Sequence, residues 1–157
     1  MTLIRCGLFT GTSDEHLSLL EHMTSVHSRL SAVIVTTPQA VALMDVMKCL
    51  SFARAVNLPI IGLIENMSGY VCPCCGEISN VFSTGGGAEM ARRENLTFLG
   101  SLPVDTELVT LLDGEGTTSE RDVSASNLLQ KYTLTPSAKL FEGIVSLVLQ
   151  FLTDNRG

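Results

Sequence analysis

Two kinds of apolar pattern alternate along the chain. Residues 32–36 (AVIVT) and 60–64 (IIGLI) are continuous, largely β-branched runs, as expected of strands buried on both faces. Between them Thr37 is placed to cap a helix with Pro38 at its first position. That helix runs to about Asn57 and carries Val41, Met44, Met47 (or Lys48) and Val56. Residues 2–9 (TLIRCGLF) predict a short strand, and Asp14 to about Met23 a helix with Leu17, Leu20 and Met23 on one face. Further on, GGGAEMARREN predicts a glycine turn feeding a short helix, and TFLGSLP a strand ending at Pro103. Asp105 opens a helix to about Leu112. Residues 113–127 are polar and rich in Gly, Ser and Thr, which predicts a loop. Pro136 to Asp154 closes the chain as an amphipathic helix, with Leu140, Ile144, Leu147, Val148 and Phe151 at helical spacing.

Buried strands alternating with helices imply right-handed βαβ units, hence an α/β fold around a parallel sheet. Ligands of such sheets sit beyond the carboxyl ends of the strands. Four segments fall there: GTSDEH, TTPQ, ENMSGYVCPCC and LPVD. These are the places to expect chemistry.

Length and composition narrow the options. The chain has 157 residues, which fits one domain, and its 45% hydrophobic content supplies a core. With 5% aromatics and no Trp, that core must be aliphatic and Met-filled. The formal charge is −6 and Lys and Arg form no cluster, which argues against direct nucleic-acid binding. No apolar run approaches the roughly 18 residues of a membrane span, so no membrane partner is expected. The N-terminus is a poor secretory or mitochondrial signal, and the expected compartment is the cytoplasm.

Five cysteines are an odd number, and Cys72, Cys74 and Cys75 lie within four positions. Such crowding is no disulfide framework; in a reducing compartment it points to metal or redox chemistry. Cys72 and Cys75 form a C-x-x-C stiffened by Pro73, a spacing that aims two thiolates at one metal. Zinc or an iron–sulfur cluster normally takes four ligands, so the other two are expected from a second chain. Cys6 and Cys49 stand alone, Cys49 at an apolar helical position where a core thiol is expected. A zinc half-site or an unligated loop is the simpler alternative. A thioredoxin-like redox pair fits less well, because Gly76 follows and no helical pattern starts.

The other edge segments have double readings. The amide of Asn66 can read a purine edge or cap a turn. Pro103 and Asp105 can wall a nucleotide base, or Asp105 can be the N-cap of the next helix. In GTSDEH, Thr12 and Ser13 can reach a phosphate or Mg²⁺, or form a capping box. His16, His22 and His27 lack i, i+4 spacing, so no histidine metal site is expected. No G-x-x-x-x-G-K-[ST] phosphate loop occurs in the sequence.

Taken in order, GTSDEH, VTTPQAV, IIGLIENMSGYVCPCC, FSTGGGAEMA and FLGSLPVD resemble the Mrp/Nbp-type P-loop ATPases, scaffold proteins of iron–sulfur cluster assembly related to MinD and the nitrogenase iron protein. The resemblance covers about residues 11–112 and is most similar to the shorter, cytosolic member of that family. It implies the C-terminal part of a doubly wound P-loop NTPase as a single partial domain, with residues 113–135 a polar loop and 136–154 the last helix. It implies that Cys72 and Cys75 are bridging ligands of a labile [4Fe–4S] cluster between two subunits. It also implies that Asn66, Pro103 and Asp105 line an adenine pocket, and that Thr12 and Ser13 belong to a switch sensing ATP and Mg²⁺. The implied partners are a longer related scaffold, in a heterotetramer, or a second copy, together with the apoproteins that receive clusters. The alternatives are a non-catalytic interaction module pairing with a full-length scaffold, and a zinc-binding structural domain. The sequence departs from the family at residues 1–10, where Gly7 to Thr10 stand in place of D-T-P-P, and at Ile78, where some relatives have a further cysteine. No catalytic residue is assigned, and without the phosphate loop this chain alone is not expected to hydrolyse ATP.

Overall fold

The computed structural model describes residues 3–6, 18, 20–22, 30–72, 74–75, 77–79, 85–114 and 125–154. The apolar runs form the centre of a parallel sheet. Its strands are β1 (Leu3–Cys6), β2 (Ser31–Thr36), β3 (Ile60–Val71) and β5 (Phe98–Val104), side by side in that order. A two-residue strand, β4 (Ile78–Ser79), turns back antiparallel on the far end of β3.

Helices cover both faces of the sheet, as a doubly wound α/β arrangement requires. Helices α1 (Ala40–Ala55) and α2 (Gly86–Arg93) lie on one face. There Val46 and Leu50 of α1 and Met90 and Ala91 of α2 meet Ile34 and Leu63. The C-terminal helix α5 (Pro136–Asp154) covers the other face, packing Ile144 and Val148 on Val33, Ile61, Ile64 and Leu99. A third cluster joins Leu20, Leu30, Ala32, Ala53 and Leu58. Residues 18 and 20–22 are helical, within the helix expected from Asp14.

Both α1 and α2 stop the same way. Asn57 and Asn95 take the left-handed conformation, each at φ 53°. Leu58 then bonds back to the Ala53 carbonyl, and Leu96 to that of Ala91. This six-to-one closure satisfies carbonyls that the helix end leaves open, and Asn tolerates the backbone it needs. Arg54 further ties the two helix ends together, through Glu94 at 3.0 Å.

Several expectations change. Helix α1 begins at Ala40, not at Pro38, with Gln39 as a cap residue that makes no side-chain cap bond. Thr37 therefore caps nothing; its buried hydroxyl has no hydrogen-bond partner among the described residues. The face α1 buries is Val46, Leu50 and Ala53, while Val41 and Met44 are exposed. Apolar residues surround this helix, so the sequence left its inner face ambiguous. Cys49 is half-buried instead of lying in the core. The segment expected as a polar loop contains a helix, α4 (Ala125–Thr133). It follows α3 (Thr106–Gly114), whose start matches the expectation from Asp105. Helix α5 has the predicted bounds, but Leu140 and Leu147 are exposed and Leu152 shares the inward contact with Phe151. Finally, β3 does not end at Glu65 and Asn66, as the apolar run predicts; it continues through MSGYV to Val71.

Candidate functional site

The continuation of β3 positions the cysteines. After a shift between Leu63 and Ile64, the strand runs in register with β5 from Ile64 to Asn66, Asn66 standing opposite Leu102. The next pair is Tyr70 with Val104, so β3 carries two more residues than β5 across this step. Met67 at φ 59° and Gly69 at φ 90° absorb the excess. Extra residues on one strand bend it and increase its twist. Beyond this irregularity β3 pairs with β4, Tyr70 with Ser79 and Val71 with Ile78. The amide of Cys72 donates to the carbonyl of Glu77 at 2.9 Å and closes the tip. The cysteines therefore sit at the tip of a hairpin that leaves the carboxyl edge of the sheet, not in an unstructured loop.

Within the tip, Cys72 is half-buried and Cys74 and Cys75 are exposed. The backbone N–H groups of Cys74 and Cys75 point at the Cys72 sulfur and hold its thiol below the usual thiol range, with the neighbouring thiols adding to the effect. Donors aimed at sulfur favour the charged thiolate, the form that ligates metal. Among the described residues no three His, Cys, Asp or Glu side chains come together to hold a metal ion. The hairpin tip thus carries the thiols of Cys72, Cys74 and Cys75, with Cys72 and Cys75 at C-x-x-C spacing. Such a pair suits half of a four-thiolate site.

The base of the hairpin rests on Glu65, which the sequence reading did not single out. Its side chain is fully buried, at 1% exposure. One carboxylate oxygen accepts from the Ser68 hydroxyl at 2.5 Å and from the Gly85 amide at 3.3 Å. The other accepts from the Gly87 amide at 2.5 Å. Gly85 and Gly87 open α2, so the carboxylate lies at the positive end of that helix, where a buried anion is stabilised. The glycine turn is built for this contact. Gly85 takes φ 80°, and a Cβ on Gly87 would meet the Glu65 carboxylate at 3.0 Å and Leu63 at 3.1 Å. An acid ending an otherwise apolar strand run, IIGLIE, was the signal available in the sequence.

At the neighbouring strand end, Pro103 is buried and follows Leu102, the partner of Asn66. Asn66 and Pro103 are therefore brought together on adjacent strands. Asp105 is also buried, at 6% exposure, and it is the N-cap of α3. Its Oδ1 accepts from the amides of Glu107 and Leu108, at 3.0 and 3.1 Å. Its Oδ2 accepts from the amide and the hydroxyl of Ser137, at 3.1 and 2.7 Å. Burial works against the ionised form, yet these four donors prevail and keep the carboxyl below its usual value. A carboxylate has about four acceptor positions, and here α3 and α5 occupy them. Thr12 and Ser13, and the rest of GTSDEH, lie outside the described residues.

Comparison with known proteins gives this edge a context. The model of the family described as ParA, NUBPL iron-transfer P-loop NTPase, matches residues 8–136. A cytosolic Fe–S cluster assembly factor CFD1 from Yarrowia lipolytica is 46% identical over 134 residues, covering 85% of this chain and 43% of that protein. A cytosolic Fe–S cluster assembly factor NUBP2 from Bos taurus is 54% identical over 103 residues, covering 66% of this chain and 38% of that protein. Among solved structures, a nucleotide-binding protein from Archaeoglobus fulgidus in complex with ADP is 36% identical, with a TM-score of 0.47 over 53% of this chain and 34% of that one. The chain thus spans less than half the length of these relatives. With most of its length matched by the family model, the chain belongs to the ParA/NUBPL family of iron-transfer P-loop NTPases.

Proposed function

We propose that this chain is a scaffold subunit of cytosolic iron–sulfur protein assembly, with the cluster as its cargo. Cys72 and Cys75 supply two thiolates to a [4Fe–4S] cluster, and a second subunit supplies the other two across a two-fold interface. The second subunit is a longer related scaffold, in a heterotetramer, or another copy of this chain. The receivers are apoproteins of the cytoplasm. The observation that carries the reading is the hairpin tip, where β3 and β4 and the bond from the Cys72 amide to the Glu77 carbonyl bring Cys72, Cys74 and Cys75 together beyond the sheet edge. Backbone hydrogen bonds of Cys74 and Cys75 that hold the Cys72 thiol below its ordinary value fit that role, because such bonds stabilise a metal-bound thiolate. The names of the relatives support the same assignment.

Asn66 and Pro103 are proposed to face the base of ATP, with Asp105 fixing their strand end by holding α3 and α5. Thr12 and Ser13 are proposed as the switch that senses phosphate and Mg²⁺. The chain forms part of a single NTPase-like domain. ATP turnover needs a phosphate loop, which residues 1–157 do not contain; the role proposed for these residues is to hold and present the cluster.

Anaerobic reconstitution with iron and sulfide tests the reading. The expected result is about two irons per chain, or four per pair of chains, with a broad thiolate-to-iron absorbance. Cys72→Ser combined with Cys75→Ser removes both signals, alone and with the longer partner. Iron retained by the double variant overturns the assignment, and zinc bound in place of iron and sulfide favours the structural alternative.

A further inference from the structure

We infer that Glu65 is the positioning residue of the cysteine hairpin, gripping the chain where it enters the excursion and again where it returns. This inference rests on the reading of Cys72 and Cys75 as cluster ligands.

The entry contact is Ser68, held at 2.5 Å within the irregular step of β3 that carries Met67 and Gly69 in left-handed backbone. The return contacts are the amides of Gly85 and Gly87, 20 and 22 residues away in sequence. Between these points lies the hairpin with all three clustered cysteines. Near the tip its described pairing amounts to two residues on each strand and the bond from Cys72 to Glu77. A two-stranded ribbon of that size has little stability of its own in water. Its direction must come from its base, where β3 meets β5 again only at Tyr70 and Val104 and where the fully buried carboxylate of Glu65 holds both ends of the excursion.

The chemistry suits such a clasp. A buried carboxylate is costly unless it is fully hydrogen-bonded, so Glu65 holds its partners tightly. A charged acceptor makes stronger bonds than a neutral one. Two subunits that share one cluster must each present two sulfurs at a fixed angle, and a ligand pair that swings loses the advantage of preorganisation. A residue outside the metal site can thus govern how firmly the cluster is held, without touching it.

Ser68→Ala separates this role from general folding, because it removes the entry contact and leaves the cap on α2 in place. Ser68→Thr restores the hydroxyl. Glu65→Gln keeps the size and weakens both contacts. Each full chain is measured for far-UV circular dichroism, for amide hydrogen exchange at Val71, Cys72 and Ile78, and for iron release to a chelator after reconstitution. The expected result for Ser68→Ala is hairpin exchange about tenfold faster, the scale for losing one bond to a charged acceptor, with exchange in β2 and β5 unchanged. Iron release accelerates by about the same factor, as for lost outer-shell support of a metal ligand. Ser68→Thr returns both to the wild-type values, and Glu65→Gln exceeds Ser68→Ala in both. Iron release from Ser68→Ala at the wild-type rate overturns the inference, whether or not exchange has changed. A wild-type chain that takes up no iron and sulfide overturns the ligand assignment itself, which separates the two failures.

Discussion

Asp105 joins two helices and one strand end through a single side chain, and replacing it tests that account most directly. Asp105→Ala strips acceptors from the Glu107 and Leu108 amides at the start of α3 and from both donors of Ser137 at the start of α5. Losing an N-cap costs about 1 kcal/mol. Each bond to a charged acceptor contributes about 1.5–3 kcal/mol net, and Ser137 is itself buried, at 6% exposure. Water entering the vacated space restores part of this, so the expected loss is about 3 kcal/mol, a substantial fraction of the 5–15 kcal/mol typical of a domain. Asp105→Asn keeps one oxygen for α3 but turns an NH₂ toward the Ser137 amide, and should lose about half as much. Urea unfolding followed by circular dichroism at 222 nm measures both. The dependence on pH has a fixed sign. The folded carboxyl titrates below its unfolded value, so its contribution is complete above an ordinary aspartate pKa of about 3.9 and disappears as pH falls through the lower folded value. Wild-type stability should therefore drop more steeply than that of Asp105→Asn as pH falls below about 4. An Asp105→Ala loss within about 0.5 kcal/mol, the range of an ordinary surface change, or parallel acid profiles for the two chains, would refute the reasoning.

Other outcomes are expected. Gly87→Ala should destabilise the chain by about 1–3 kcal/mol by crowding Glu65 and Leu63, read as a lower urea midpoint; a neutral result contradicts the close approach. In a metal-free chain with Cys74→Ser and Cys75→Ser, the main-chain donors to Cys72 persist, so its alkylation by iodoacetamide should half-saturate below the ordinary thiol pKa of about 8.5. A profile matching free cysteine argues against those donors. Purified alone, the chain should release no phosphate from ATP above background in a coupled assay; turnover that survives further purification would require phosphate-binding groups elsewhere.

The sequence reached the buried strands and the last helix because their patterns are strong and local. AVIVT and IIGLI are apolar on both sides, and Pro136 to Asp154 has a clear helical period. The capping role of Asp105 was also legible, since its partners at 107 and 108 are near neighbours. Its second role was not, because Ser137 lies 32 residues away. The same limit hid Glu65, whose partners across the hairpin are glycine amides that carry no side-chain signature. Extension of β3 through ENMSGYV defied local propensity: Gly69 and the polar residues read as a turn, while pairing with β5 at Asn66 and with β4 and β5 from Tyr70 carries the strand across the irregular step. Helix α4 was missed within a segment whose Ser and Asn content favours loops. Of the residues expected at the edge, Pro103, Asp105, Cys72 and Cys75 fall at or just beyond strand ends and Asn66 lies inside the extended β3, whereas Thr12 and Ser13 lie outside the described residues.

The contacts of Glu65 also bear on how freely the cysteine-bearing segment can change length. Its ends meet through contacts 20 and 22 residues apart. The entropy of closing such a loop grows only with the logarithm of its length, so five added residues cost about 0.2 kcal/mol. Insertions at the tip are then nearly free for the fold, provided that Glu65, Ser68, Gly85 and Gly87 remain. The hairpin is in this sense a replaceable cassette: its cysteine spacing can be redesigned while the sheet beneath it keeps the same thermodynamic footing.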